Sequence, residues 1–573
     1  MEYEAHPARV TVPQGAEVLT GGVQLTGGRL AEVWENNIRF LKRFDVDRML
    51  YWFRVYAGKD APGAPYGYDG GHFENNLYGQ TAGEFLMGAG TALLWREDAE
   101  LRSTLNAVVD GIAECADPDG YLIPVARAHF NEKEYPNYVR AWLTFGLLAA
   151  GAAGNSTAYR LARGMGDWFN RCNCLPYVKD LNLGFQGILA NTALYLSPVG
   201  VPEDLEVAQQ WYRENWWLKQ LTADDQRAIY QHPGNHPHST LLTTLEGILD
   251  IYRATGEEFL LDAVHHALQM YEEKWQHVGG GIVMCEFDSF YPGCNFLSQN
   301  HNYNELCSST FWILLHQRLQ LLEPDDAHHF DEIEASVYNM LAAAQVGDRG
   351  LHYLAFLEGC KDGRWIDIAT CCAGTGTWLI AMLPQLLYTV RDRDVYVNLY
   401  ADSEADVGGA HLVMHSKMPY CGAVRLEVAR AAAPMTLHLR VPRWCSAPVS
   451  INGVTAQPGS YLVLHEVAAG TVLEFELPFG FRATRYTGAE EIPGKARWAV
   501  EYGPLLLAAM GRGGVTVQMD PAHPGDWLVP IAKNRFRLRG SNRQEYRVYM
   551  DIDDEPLTVY PVVEAPEGGH GQA

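Results

Sequence analysis

Two cysteines stand side by side in the run Ala369-Thr-Cys-Cys-Ala-Gly-Thr-Gly-Thr377. Adjacent cysteines seldom bridge each other, because the ring that would form is strained. In a reducing compartment Cys371 and Cys372 are therefore metal ligands or reactive thiols. Earlier in the chain, Asn304-Glu-Leu-Cys307 sets a carboxylate and a thiol two positions apart, just ahead of an apolar helix carrying Phe311, Leu314, Leu315 and Leu319. Two such pairs from distant segments can make one four-coordinate site. Three sulfur donors and one oxygen donor suit Zn²⁺. Iron competes for thiolates, but a carboxylate ligand speaks against a cluster. The plainer reading is two buried cysteine pairs packing a core, and the residues alone leave both readings open.

Two further groups have the types that chemistry needs. Glu286 and Asp288 follow the glycine run of Gly279-Gly-Gly-Ile-Val-Met-Cys-Glu-Phe-Asp-Ser-Phe290, which reads as a loop. A carboxylic acid in an aromatic loop can keep its proton and act as a general acid; the alternative is a solvated loop acid. His232, His236 and His238 cluster at the entry to a helix. They read either as a second metal site or as substrate-binding or capping histidines.

Bulk properties narrow the function classes. A chain of 573 residues implies two to four domains. Its 47% hydrophobic and 20% charged residues are ordinary for a globular protein. A net charge of −25 repels phosphate backbones, which sets nucleic acid aside as a partner. The 15 Trp and 30 Tyr suit either a sugar-binding cleft or a large aromatic core. The start MEYEAHPARVTV has no basic n-region and no apolar h-region, and no stretch of about 18 uncharged apolar residues follows. The expectation is a cytoplasmic protein with no membrane span. An odd count of 11 cysteines at irregular spacing argues against a disulfide framework.

The elements that must position these residues are legible as periodicity. Short strands are expected at Ala8–Val12 and Val18–Leu25. From about Arg29 to Tyr388 the pattern is helical: Leu241, Leu245, Ile248 and Tyr252 share one face, Gly256 ends that helix, and a second starts near Glu257. Hairpins are expected near 81–116, 138–170, 184–219, 238–275 and 305–345, with the helix at Cys371 pairing the one at 29–45. Six hairpins can close into an (α/α)6 barrel whose inner helices line a pocket; an open solenoid is the alternative. After Tyr388 the period changes to two, as in Met435, Leu437, Leu439 and Val441. The expected organisation is an N-terminal β segment at 1–27, an (α/α)6-barrel catalytic domain at 28–390, and antiparallel β-sandwich modules at 391–485 and 486–573, the last ending in a polar, Gly-rich tail.

Taken in order, these motifs resemble glycoside hydrolase family 127, the β-L-arabinofuranosidase family. Cys285-Glu-Phe287, Glu305-Leu-Cys307 and Cys371-Cys372 match its loop acid, its Glu-x-Cys and its cysteine pair. Leu437-His-Leu-Arg-Val-Pro-Arg443, Val449-Ser-Ile-Asn-Gly453 and Glu501-Tyr-Gly-Pro-Leu505 are similar to strands of its β half. The resemblance runs from about residue 28 to 563. It implies a zinc-dependent retaining exo-glycosidase acting on terminal furanosides of small oligosaccharides. It implies Glu305, Cys307, Cys371 and Cys372 as zinc ligands, Cys371 as nucleophile and Glu286 as acid/base. It also implies His238 and Tyr338 as substrate-facing residues; core packing is the other reading of Tyr338.

The chain departs from that pattern in places. Two inner helices that the family begins with Gly-His here read Arg140-Ala141 and Gly184-Phe185, and Ala373-Gly374 follows the cysteine pair. Arg140 in the pocket would suit an acidic sugar. Three alternatives therefore stand beside the first: a related glycosidase for another sugar, a uronate or amino-sugar lyase or epimerase, and a non-catalytic sugar-binding protein with structural zinc. A homodimer is expected only because sandwich modules often dimerise.

Overall fold

The structure is a computed structural model that describes residues 8, 10–66, 77–130, 135–172, 184–214, 216–225, 239–284, 303–361, 370–488, 491–511 and 514–565. Its helices, in chain order, are α1 Gly28–Leu41, α2 Val46–Tyr56, α3 Gln80–Trp95, α4 Ala99–Cys115, α5 Tyr135–Ala152, α6 Ser156–Arg171, α7 Gly184–Tyr195, α8 Pro202–Glu214, α9 Trp216–Thr222, α10 Ser239–Thr255, α11 Glu258–Lys274, α12 Leu306–Leu322, α13 His328–Ser336 and α14 Cys371–Ala381. Among the described residues, no helix is long and apolar enough to cross a membrane.

Packing sorts these helices into two layers. α3 packs on α5, α5 on α7, α7 on α10, α10 on α12, α12 on α14, and α14 returns to α3. The ring closes, so the helical half is an (α/α)6 barrel and not an open solenoid. α4, α11 and α13 each lie against one member of the ring, and α6, α8 and α1 each lie against two. Composition explains the division. α3 is apolar on every side and buried from Gln80 to Leu93, as befits an inner helix. α6 is amphipathic, burying Ala158, Ala162, Met165, Trp168 and Phe169 and exposing the opposite face.

Inner helices meet closely where glycine permits. A Cβ on Gly83 would lie 2.8 Å from the backbone carbonyl of Trp142, an obstacle that cannot rotate away. Gly83 meets Trp142 and Gly90 meets Ala149, so α3 and α5 run parallel. Gly88 against Thr377 aligns α14 with them. Parallel helices gather their N-termini at one end of the ring. Helix starts are marked by side-chain caps: Asp98 accepts from Leu101 N, Asn155 from Ala158 N and Thr370 from Ala373 N.

The β half has two parts. One sheet runs in the order Glu17–Val18, Tyr388–Arg391, Asp394–Val397, Met435–Val441, Ser460–Val467. The other runs Val472–Glu476, Ala423–Ala431, Ala410–Ser416, Ser403–Val407, Val23–Leu25. Strict alternation of buried and exposed residues at Ser403–Val407 shows why the sequence carried a period of two. The two N-terminal strands are edge strands of these sheets. Of the strand expected at Ala8–Val12, the described residues 8 and 10–12 form none: Thr11 N and Val12 N both donate to Arg253 O, so they satisfy the carbonyl end of α10 instead of a sheet partner. The C-terminal part is a single ten-stranded sheet, which Glu358–Gly359 from the helical half joins.

The two halves are fastened by polar contacts on α13 and the π-helical turn Val337–Ala342 that continues it. Arg440 Nη1 lies 2.6 Å from Asp331 Oδ1 and its Nη2 lies 2.9 Å from Glu334 Oε1. Trp444 Nε1 donates to Glu334 Oε2 at 2.6 Å. Asn339 donates to Pro504 O and accepts from Leu506 N.

Candidate active site and metal centre

The cysteine motifs are brought together by two helix starts. Glu305 is the N-cap residue of α12 and Cys307 lies in its first turn. Thr370 caps α14, whose first two residues are Cys371 and Cys372. Both N-termini bring the positive end of a helix dipole to the cluster, which favours anionic sulfur and oxygen there. A third segment completes the corner. Tyr353 O accepts from Leu306 N at 3.1 Å, and Leu354 bridges to Glu305.

Cys372 Sγ lies 3.3 Å from Cys307 Sγ and 3.5 Å from Glu305 Oε1. Cys307 Sγ is 3.3 Å from Thr375 Oγ1, and Cys371 Sγ is 3.6 Å from the Tyr353 hydroxyl. One donor atom from each of Glu305, Cys307, Cys371 and Cys372 lies within 4.8 Å of the other three, and all four residues are buried. A sulfur separation of 3.3 Å is far beyond the ~2.05 Å of a disulfide. Cys115, Cys172, Cys307, Cys360, Cys371, Cys372, Cys421 and Cys445 are all free. Donors around one zinc at about 2.3 Å would stand about 3.8 Å apart, so the observed spacing needs only small shifts to hold a metal ion.

The electrostatics point the same way. Hydrogen bonds from Cys307 and then Cys372 hold the Cys371 thiol well below the usual range. Burial pushes Cys307 and Cys372 well up. Three buried sulfurs next to a carboxylate cannot all ionise at each other's expense; a bound dication lets them. Cys371 is 6% exposed and Cys372 fully buried, so Cys371 is the more accessible of the vicinal pair.

The remaining candidates are placed differently. Glu286, Asp288, His232, His236 and His238 lie outside the described residues. Tyr338 is buried in the π-helical turn, and the ionisable groups it faces are Glu334, Arg440 and Tyr420, at the seam with the β half. Arg140 stacks its guanidinium 3.6 Å over Phe169 of the outer helix α6 and donates to Asn137. On α5 it is Tyr138, two positions earlier and so turned about 200°, that stands by the cysteines. Burial and then the charges of Cys371, Cys307 and Glu84 push its hydroxyl pKa well up.

Sequence reading missed Tyr353, Thr375, Tyr138 and Glu84. Thr375 was within reach: it follows Cys371 by four residues and so shares its helix face. Glu84 is a lone acid in an apolar run, buried with it. Tyr353 has no local signal, since only the fold brings residues 353 and 371 together.

Comparison with known proteins supplies the family context. Residues 22–385 match the family model described as the β-L-arabinofuranosidase GH127 catalytic domain, and residues 394–479 match the GH127 middle domain. A non-reducing end β-L-arabinofuranosidase of Bifidobacterium longum subsp. longum is 23% identical over 521 residues, covering 78% of this chain and 76% of that protein. Among solved structures, a GH127 β-arabinofuranosidase superposes with a TM-score of 0.72 at 18% identity, covering 98% of this chain and all of the other. A GH127 β-L-arabinofuranosidase from Geobacillus stearothermophilus T6 superposes with a TM-score of 0.71 at 17% identity, covering 95% of this chain and 100% of the other. At these identities the structural likeness speaks for the fold.

Proposed function

Because the chain belongs to glycoside hydrolase family 127 and is therefore a glycoside hydrolase, we propose that it removes terminal β-L-arabinofuranosyl residues from small oligosaccharides with retention of configuration. The observation that carries the reading is the convergence of Glu305, Cys307, Cys371 and Cys372 on the N-termini of two inner barrel helices. The donor set fits Zn²⁺. When bound, zinc supplies the positive charge that keeps several buried thiols deprotonated near pH 7.

The chain's own residues then divide the work. Cys371 is the most exposed of the three cysteines, on the first turn of α14. Its thiolate attacks the anomeric carbon as the bond to the leaving oxygen breaks. Glu286, which follows the glycine run in the sequence, gives its proton to that oxygen. The product is an aglycone alcohol and a glycosyl–sulfur bond on Cys371. Glu286, now a carboxylate, takes a proton from water, whose oxygen displaces the sulfur. Two displacements restore the starting configuration and regenerate both groups. The Tyr353 hydroxyl, 3.6 Å from Cys371 Sγ, stabilises the thiolate between cycles.

Two readings compete. A lyase or epimerase on the same barrel would have no use for Cys371 as a nucleophile. A non-catalytic protein would keep all four ligands as a closed structural site. The test is hydrolysis of an aryl β-L-arabinofuranoside by wild type and Cys371→Ser, with zinc content measured on both. Activity that vanishes in the variant supports the proposal. Turnover that survives Cys371→Ser sinks it.

A further inference from the structure

Helix α3 buries the polar side chains of Gln80, Thr81, Glu84 and Thr91, and of these Gln80 and Glu84 bond to each other. They are one turn apart and share a face. Gln80 Nε2 donates to Glu84 Oε1 at 2.5 Å. This contact settles the amide's orientation, because an acidic oxygen there calls for the NH₂ side. Gln80 Oε1 is then turned away, and among the described residues it has no partner although the residue is only 2% exposed. A buried amide oxygen without a donor is uncommon, and it points to a donor that arrives with a ligand.

Glu84 is held against the cysteine helix itself. A Cβ on Gly374 would stand 2.6 Å from Glu84 Cβ and would overlap the rest of that side chain. The stem of Glu84 therefore lies on the first turn of α14, two residues past Cys372. On its other side is Tyr138 of α5, the residue that also faces Cys371 and Cys307. Gln80, Glu84 and Tyr138 thus share the inner-helix N-terminal end with Cys371.

We propose that Gln80 and Glu84 form a hydroxyl-recognising subsite for the glycone, which selects a neutral, fully hydroxylated sugar and rejects a carboxylated one. The proposal rests on the reading that the sugar sits at Cys371. One sugar hydroxyl donates to Gln80 Oε1 and another to the Glu84 carboxylate. A buried carboxylate repels a second carboxylate strongly, because little water is present to screen it. Arg140, the cation that would have welcomed an acidic sugar, is stacked on Phe169 instead.

The test measures kcat/KM for wild type, Glu84→Gln and Gln80→Leu on aryl β-L-arabinofuranoside, on its 2-, 3- and 5-deoxy analogues, and on the analogue whose terminal carbon is a carboxylate. Glu84→Gln is expected to lose about 10- to 100-fold on the full substrate, the range for a hydrogen bond to a charged group. On the analogue lacking the hydroxyl that Glu84 holds, the same substitution is expected to change the rate less than about 3-fold. The rate on the carboxylated analogue, relative to the neutral one, is expected to rise at least about 10-fold. A purely structural Glu84 would lower all substrates by one factor, and that result overturns the subsite. So does an active wild type whose rates neither substitution changes on any substrate; in both cases the glycosidase reading stands. A wild type inactive on the whole panel removes the glycosidase reading and the subsite with it. Should Glu84→Gln fail to fold, Gln80→Leu carries the test through the same deoxy series.

Discussion

Cys372 Sγ and Cys307 Sγ lie 3.3 Å apart although 65 residues separate them, each in the first turn of its own helix. Neither thiol bridges the other, and burial, then hydrogen bonding to neighbouring cysteines, pushes both pKa values up. The pair is stable as two thiolates only when a cation joins them.

Metal content follows from that pairing. Wild type is expected to contain one zinc per chain. Cys307→Ser and Cys372→Ser are each expected to lose most of it and to melt at lower temperature, because binding free energy at a folded-only site is folding free energy. Elemental analysis and thermal melts check this. Full zinc retention in both variants would remove the four-ligand assignment.

Cys371 has a different expected signature. Cys371→Ala should lower kcat on an aryl β-L-arabinofuranoside by at least about 1,000-fold, as loss of a nucleophile does, with the far-UV circular dichroism unchanged. Trapping a glycosylated Cys371 by mass spectrometry in a Glu286→Gln background would place the covalent step on this sulfur. Label on any other residue would contradict it.

The close crossing of α3 and α5 makes Gly83 a stability position. A Cβ there meets the Trp142 backbone at 2.8 Å. Gly83→Ala should destabilise by about 1–3 kcal/mol, the cost of overpacking a tight core, despite the better helix propensity of alanine. Urea unfolding measures it, and a gain in stability would show that the helices can part.

Arg440 is buried between Asp331 and Glu334, at 2.6 and 2.9 Å. Arg440→Met leaves two carboxylates in the seam without their cation. The expected loss is about 3–5 kcal/mol, and denaturant unfolding reads it. Restoring stability by adding Asp331→Asn and Glu334→Gln would show that the unpaired charges cause the loss.

The stability of the α11–α13 corner depends on pH with a defined sign. Hydrogen bonds from His265 and then His329 hold the Glu323 carboxyl at about 2, and the Glu323 hydrogen bond raises His265 above its ordinary 6.5. A lowered carboxyl stabilises above its ordinary 4.5 and loses that contribution as pH falls toward 2. A raised histidine stabilises fully below 6.5 and loses the contribution as pH rises through its folded value. The melting-temperature difference between wild type and Glu323→Gln should therefore be largest between pH 5 and 6 and shrink by pH 9. Both partners are partly exposed, so the difference is small. A difference that stays flat across this range would rule the linkage out.

The sequence by itself determined the classes of element and the chemistry available. Helical period, closing glycines and polar starts marked the hairpins, and the strict alternation after Tyr388 marked the β half, because 3.6- and 2-residue periods survive in any buried face. The ligand types were legible because Glu305-Leu-Cys307 and Cys371-Cys372 each hold two donors within a few residues. What a side chain faces was not legible. Arg140 and Tyr138 lie on the same turn of α5, yet one stacks on the outer helix and the other stands by the cysteines; their numbers differ by two, and only the packing of α5 against α3 and α6 decides which turns inward. Tyr338 was expected to face the sugar; it is fully buried in the π turn that follows Ser336, which no residue spacing announces. The tertiary structure alone joined Tyr353 to Cys371 and Glu84 to Gly374. Those contacts arise from the closing of the ring, a long-range event that leaves no local trace in the order of the residues.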